Sequence, residues 1–144
     1  MYLSIFPTLL LAFILQTSQI KFQQLIGTWQ LVHFDAMDQL RQSPQYLNSD
    51  PAMRAGLEYK IQSRLENTVY KFVAGDSLKY TDFVQQEVVQ KQAKIEISSD
   101  NVLTIRTGLE TRQAKIVKFD GDRMVLEPIS KNPNSGKLVF EKIK

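Results

Sequence analysis

From Gly27 to the C-terminus, apolar residues recur at every second position in short runs broken by turn-forming residues. A period of two belongs to a strand with one dry face and one wet face, because successive side chains of an extended chain leave on opposite sides. Eight such runs are present: Thr28 to Phe34, Thr68 to Ala74, Ser77 to Phe83, Glu87 to Ile97, Asn101 to Thr107, Arg112 to Phe119, Arg123 to Glu127 and Lys137 to Ile143. Gly75-Asp76, Ser98-Ser99-Asp100, Thr107-Gly108, Asp120-Gly121-Asp122 and the longer stretch from Asn132 to Gly136 separate the later runs. Connections this short predict antiparallel neighbours. A meander of eight strands leaves two unpaired edges unless it closes, and closure into a barrel removes both. The predicted fold is therefore all-β, an eight-stranded antiparallel up-and-down barrel.

One helix interrupts the pattern, between the first and second strands. Asp50 is placed to cap it, Pro51 suits its first turn, and Met53, Leu57, Ile61 and Leu65 recur every four residues as a narrow apolar stripe through Pro51 to Glu66. The preceding Ala36 to Ser49 reads as a loop or a short helix. At 144 residues the chain allows one domain with a real core.

Residues 1–19, MYLSIFPTLLLAFILQTSQ, carry no charged side chain, and the apolar centre from Leu3 to Leu15 is shorter than the roughly 20 residues that span a bilayer. The stretch reads as a secretory signal with Thr17 and Ser18 near the cleavage point, an uncleaved anchor being the alternative. Residues 20–144 then form an exported domain, periplasmic or secreted, with no membrane span left after signal removal. The chain has no cysteine, so disulfides, thiolate metal sites and lipidation at a cysteine are excluded. Eighteen basic against fifteen acidic residues give a net charge of +3. The lysines are dispersed without a run of five, which reads as solvated surface and points to no nucleic-acid partner.

The only tryptophan and the only histidine lie in LIGTWQLVHFD. Gly27-Thr28-Trp29, opening the first strand, resembles the glycine-x-tryptophan signature of the lipocalins and their calycin relatives. Thr68-Val69-Tyr70-Lys71-Phe72, the Gly75-Asp76 turn and the ending Leu138-Val139-Phe140-Glu141-Lys142 are similar to bacterial lipocalin-like domains, and the resemblance spans about residues 25 to 144. Fatty-acid-binding proteins share a similar Gly-Thr-Trp and place helices after the first strand, but that family has ten strands and lacks an export leader. The resemblance implies that Trp29 plugs the closed end of the barrel beside Gly27. It further implies that a basic residue near the end of the last strand packs over the indole, here Lys142 where lipocalins usually carry arginine.

If Trp29 points inward, alternation sends Leu31 and His33 inward and Val32 and Phe34 outward. Tyr70, Phe72, Leu78, Tyr80, Leu103, Ile105, Met124, Leu126, Leu138 and Phe140 follow as interior, and Lys71, Lys79, Thr104, Arg106 and Glu127 as wet positions. In the fourth run Val89, Lys91, Ala93, Ile95 and Ile97 form the drier set, with Lys91 near the mouth. Ile116 and Phe119 have opposite parity, which calls for a bulge between them.

An interior lined by Leu31, His33, Tyr70, Phe72, Leu78, Tyr80, Leu103, Ile105, Leu126 and Phe140 suits a small hydrophobic ligand. Catalysis is not expected: the single histidine has no nucleophile motif around it, no phosphate-binding glycine loop is present, and no cofactor or metal motif occurs. The sequence thus points to a non-catalytic barrel carrying a small hydrophobic molecule. The alternative is a protein-interaction or cell-envelope module whose barrel is filled by its own side chains.

Overall fold

The computed structural model describes residues 18–84, 87–130 and 136–144, with the backbone alone at 83 and 84. The expected leader, except for its last two residues, and most of the Asn132 to Gly136 loop lie outside the described residues. Eight strands follow in order: β1 (Gly27–Phe34), β2 (Val69–Val73), β3 (Ser77–Val84), β4 (Glu87–Ile97), β5 (Val102–Thr107), β6 (Glu110–Phe119), β7 (Arg123–Ile129) and β8 (Leu138–Lys142). Each pairs antiparallel with the next, and β8 returns to β1, so the sheet closes into a barrel without a free edge.

Among the described residues four helices accompany it. α1 (Phe22–Leu25) precedes β1, while α2 (Asp35–Gln42), α3 (Pro44–Leu47) and α4 (Pro51–Asn67) link β1 to β2. Three helices thus stand where the pattern predicts one, because the Ala36 to Ser49 stretch folds into two short ones. Ser43 separates them and caps α3, accepting a hydrogen bond from the Tyr46 backbone. α2 is held to α4 by Arg41, which donates to both carboxylate oxygens of Glu58 at 2.9 and 2.7 Å, while the Tyr46 hydroxyl lies 3.0 Å from the same carboxylate. Hydrogen bonding from Arg41 holds the Glu58 carboxyl below the usual carboxylate range.

Asp50 caps α4, its Oδ1 accepting from the Met53 amide at 2.7 Å, with Pro51 in the first turn. Asp50→Ala is expected to lower stability by about 1 kcal/mol, read as a lower melting temperature in a thermal scan. The apolar stripe of α4 engages only toward its C-terminal half. Ile61 is buried and Leu57 and Leu65 are half-buried, whereas Met53 stays 55% exposed.

Two bulges decide which side chains enter the barrel. In β1, Leu31 faces Phe140 while His33 faces Val139 and Phe34 faces Leu138, so Val32 is the extra residue. Strict alternation places His33 inside and Phe34 outside; the bulge reverses both. His33 pairs instead with Asp38 of α2 at 2.8 Å. Phe34 is buried opposite Leu138, with the Arg64 guanidinium 4.2 Å from its ring centroid. In β6 a second bulge falls at Val117, between Ile116 opposite Leu126 and Lys118 opposite Val125. It carries Phe119 back to the inner side opposite Met124, as the parity of Ile116 and Phe119 requires. Thr104 departs from expectation in a smaller way, being buried on its wet position while Gln113 donates to its hydroxyl at 3.2 Å.

One end of the barrel is shut. The chain from Gln19 to Leu25 crosses it, the Ile20 amide donating to Asn101 Oδ1 at 2.8 Å, and the indole N–H of Trp29 donates to the Leu25 carbonyl at 2.8 Å. Lys142 faces Trp29 across the β1–β8 pair, with its ammonium 5.7 Å from the indole ring. Gly27, at φ +138°, makes room for that lysine: a Cβ there would lie 2.5 Å from Lys142 Cε. The glycine therefore meets a demand for both an unusual backbone angle and an absent side chain.

Candidate functional site

Opposed residues of an antiparallel pair share a face, so the register sorts the interior. Gly27, Phe72, Leu78 and Ala93 lie across from one another in sequence around β1 to β4, and Leu31, Phe140 and Met124 do so across β1, β8 and β7. Leu31, Phe72, Leu78, Leu103, Leu126 and Phe140 are fully buried together with Trp29 and Met124, which leaves no water-sized gap against them. Six of the ten expected lining residues therefore form a packed floor and wall, at the density of any protein core.

Tyr80 and Ile105 lie above that floor and are buried as well, at 3% and 6% exposure, while Tyr70 beside them is only half-buried. Tyr70 is the centre of an aromatic group, its ring 4.7 Å from Phe140, 5.6 Å from Tyr80 and 6.4 Å from Phe72 between centroids. It lies deep enough that burial pushes its phenol pKa up, with Arg112 opposing the shift, yet it keeps accessible surface. Tyr70 therefore stands at the boundary between the packed interior and solvent. His33, the remaining residue of the expected lining, lies outside, bordering with Val125 and Val139 an outer cleft of about 870 Å³.

Toward the end opposite Trp29 the inner face turns polar. Tyr80 faces Lys91, Asp82 faces Val89, Ile105 faces Arg112, and Thr107 faces Glu110. Arg112 Nη2 donates to the Tyr80 hydroxyl at 3.1 Å, and the same oxygen lies 3.1 Å from Thr107 Oγ1. Lys91 Nζ lies 3.6 Å from Asp82 Oδ2. Burial lowers the pKa of Arg112, but the fields of Tyr70, Tyr80 and Glu110 and the hydrogen bond to Tyr80 outweigh it and raise the value, so the guanidinium stays charged.

Arg112 is the residue that sequence reasoning missed. It sits in Glu110 to Lys115, where only Ala114 is apolar, so alternation has little to act on; its inward place follows from its pairing with Ile105. Among the described residues no helix is long and apolar enough to cross a membrane.

No protein-family model and no curated protein matches the chain. Solved structures do. A crystal structure of a DUF4847 family protein from Bacteroides vulgatus aligns with 82% of this chain and 93% of its own, at 15% identity and a TM-score of 0.50. Bovine odorant binding protein, solved in complex with a selenium-containing odorant, aligns with 90% of this chain and 76% of its own, at 13% identity and a TM-score of 0.46. The closed antiparallel barrel, every strand paired with its neighbour in sequence, gives this chain a lipocalin-like fold.

Proposed function

We propose that the protein is an exported, non-catalytic barrel that binds a small, largely hydrophobic molecule in the upper part of its interior. The observation that carries this reading is Tyr70, which retains accessible surface although it stands deep in the barrel between Phe140 and Tyr80. Apolar area removed from water along the upper wall and rim of the barrel, at about 25 cal/mol per Å², supplies the affinity, and the tyrosine and arginine tips supply orientation. The odorant in the bovine protein's complex is a precedent for a small molecule bound by such a barrel.

Export is supported by the uncharged apolar leader. N-terminal sequencing of protein recovered from an extracytoplasmic fraction is expected to begin within residues 18–20; a start at Met1 overturns export by cleavage.

Titration with the neutral fluorophore N-phenyl-1-naphthylamine is expected to give saturable enhancement at one probe per barrel. Absence of enhancement, with native mass spectrometry showing no co-purified lipophile, overturns the carrier reading. A filled barrel acting as an interaction module is the second reading. It is favoured by the packed floor together with Val88, Leu109 and Ile129, which are exposed on β4, the β5–β6 turn and the end of β7. A co-purifying protein in place of a lipophile is the outcome that selects it.

A further inference from the structure

Resting on the binding reading above, we infer that the polar end of the ligand is an oxyanion, seated between Arg112, Tyr80 and Tyr70, with the apolar remainder directed outward to the rim.

The first support is a surplus of donors. A guanidinium carries five N–H groups. Among the described residues, Arg112 commits one to the Tyr80 hydroxyl, and its Glu110 partner stands 3.7 Å from Nε, an ion pair too long for a hydrogen bond. The neighbouring Tyr70 hydroxyl receives no hydrogen bond from any described residue, although its ring is packed among three other aromatic rings. A planar cationic fork beside a phenol O–H is a donor set matched to a carboxylate or a phosphate monoester.

The second support is the surrounding charge. Arg64 of α4 and Asp82 of β3 both lie within electrostatic range of Tyr70, as does Arg112. Lys91 faces Tyr80 from the adjoining strand and Glu110 faces Thr107. Three cations thus stand against two carboxylates, which pair with Lys91 and Arg112, and the surplus positive charge favours an arriving anion.

The third is direction. Beneath Tyr70 the packed side chains of Phe72, Phe140 and Leu31 leave no volume for a hydrocarbon tail. Above it the rim offers apolar surface instead, with Val89 on the inner face opposite Asp82 and 37% exposed, and Leu109 fully exposed at the β5–β6 turn. The acidic head therefore enters first and the tail lies along the rim.

Displacement of bound N-phenyl-1-naphthylamine by dodecanoate, dodecyl phosphate and dodecan-1-ol tests this. At least one of the two anions is expected to bind about tenfold or more tighter than the alcohol, as for charge-assisted hydrogen bonds. Arg112→Gln is expected to bring the anion down to the level of the alcohol, whose own affinity stays unchanged; Tyr70→Phe, which removes one hydroxyl, is expected to weaken the anion about threefold. Thermal melts of both variants establish that they fold. Preference for dodecanoate assigns a carboxylate head, preference for dodecyl phosphate a phosphate head, and either supports the site. Equal binding of alcohol and anions, or an anion preference that survives Arg112→Gln, overturns the oxyanion site while leaving the carrier reading in place. Failure of the fluorophore and all three amphiphiles to bind removes the carrier reading and this inference with it.

Discussion

Replacing Trp29 by alanine is expected to lower the free energy of unfolding by about 3–5 kcal/mol, measured by urea denaturation followed by far-ultraviolet circular dichroism. The indole is fully buried, its ring centroid is 5.9 Å from that of Phe119, and its N–H satisfies the Leu25 carbonyl at the end of α1. Truncation removes the largest side chain of the closed end and leaves that carbonyl without its donor, so a cavity and an unpaired acceptor arise together. Trp29→Phe separates the two effects, retaining most of the area while losing the hydrogen bond, and is expected to cost about 1–3 kcal/mol. Lys142 adds a contact of another kind. Its stem passes over Gly27 and brings the ammonium toward the indole, so the flat face of a guanidinium is not required there. A loss below about 1 kcal/mol for Trp29→Ala would mean that the closed end does not depend on the ring.

The number of strands, their order and most of their bounds were legible because alternation and turn residues act locally. Glu87–Ile97 ends where the pattern ends, and the β6 bulge is written in the opposed parity of two apolar residues, Ile116 and Phe119. The β1 bulge left no such trace. Val32, His33 and Phe34 are compatible with either phase, and only the pairing with Val139 and Leu138 decides it. Helix α4 was legible from its cap, but the depth to which its stripe docks was not. Periodicity reports a face, and the exposure of Met53 depends on what the neighbouring elements leave uncovered. The candidate site was legible in its aromatic residues and illegible in its charge. Tyr70 and Tyr80 follow from alternation, whereas Arg112 lies in a polar segment whose inward phase comes from a partner strand. Composition also could not separate a lining from a floor: Phe72 and Tyr70 are two residues apart on one face, and the difference between them is that Phe72 is fully buried while Tyr70 keeps accessible surface.

That difference has a direct consequence in a matched pair of substitutions. Phe72→Asp is expected to leave no folded barrel at neutral pH, judged by loss of the β-sheet circular dichroism signal and of a cooperative melt. Phe72 is fully buried against Leu78 on the next strand and lies 6.2 Å from Phe22 of α1, centroid to centroid. A carboxylate at that position would stand in a core with no donor facing it, and several kcal/mol of desolvation would go uncompensated on top of the lost aromatic packing. A domain of this size has a total stability of only about 5–15 kcal/mol, so the sum of the two losses reaches the range that unfolds it. Tyr70→Asp places the same group two residues away with the opposite result. There the new carboxylate borders accessible space and lies near Arg112 and Arg64, which favour its charged form. That variant is expected to fold with a reduced melting temperature and to lose uptake of N-phenyl-1-naphthylamine. The neutral probe meets a charge and its water where an aromatic face had been. A folded Phe72→Asp barrel that no longer takes up the probe would shift the ligand-bearing surface down into the floor. A folded Tyr70→Asp barrel with undiminished uptake would remove Tyr70 from the site, because the substitution replaces the half-buried aromatic ring on which the binding reading rests.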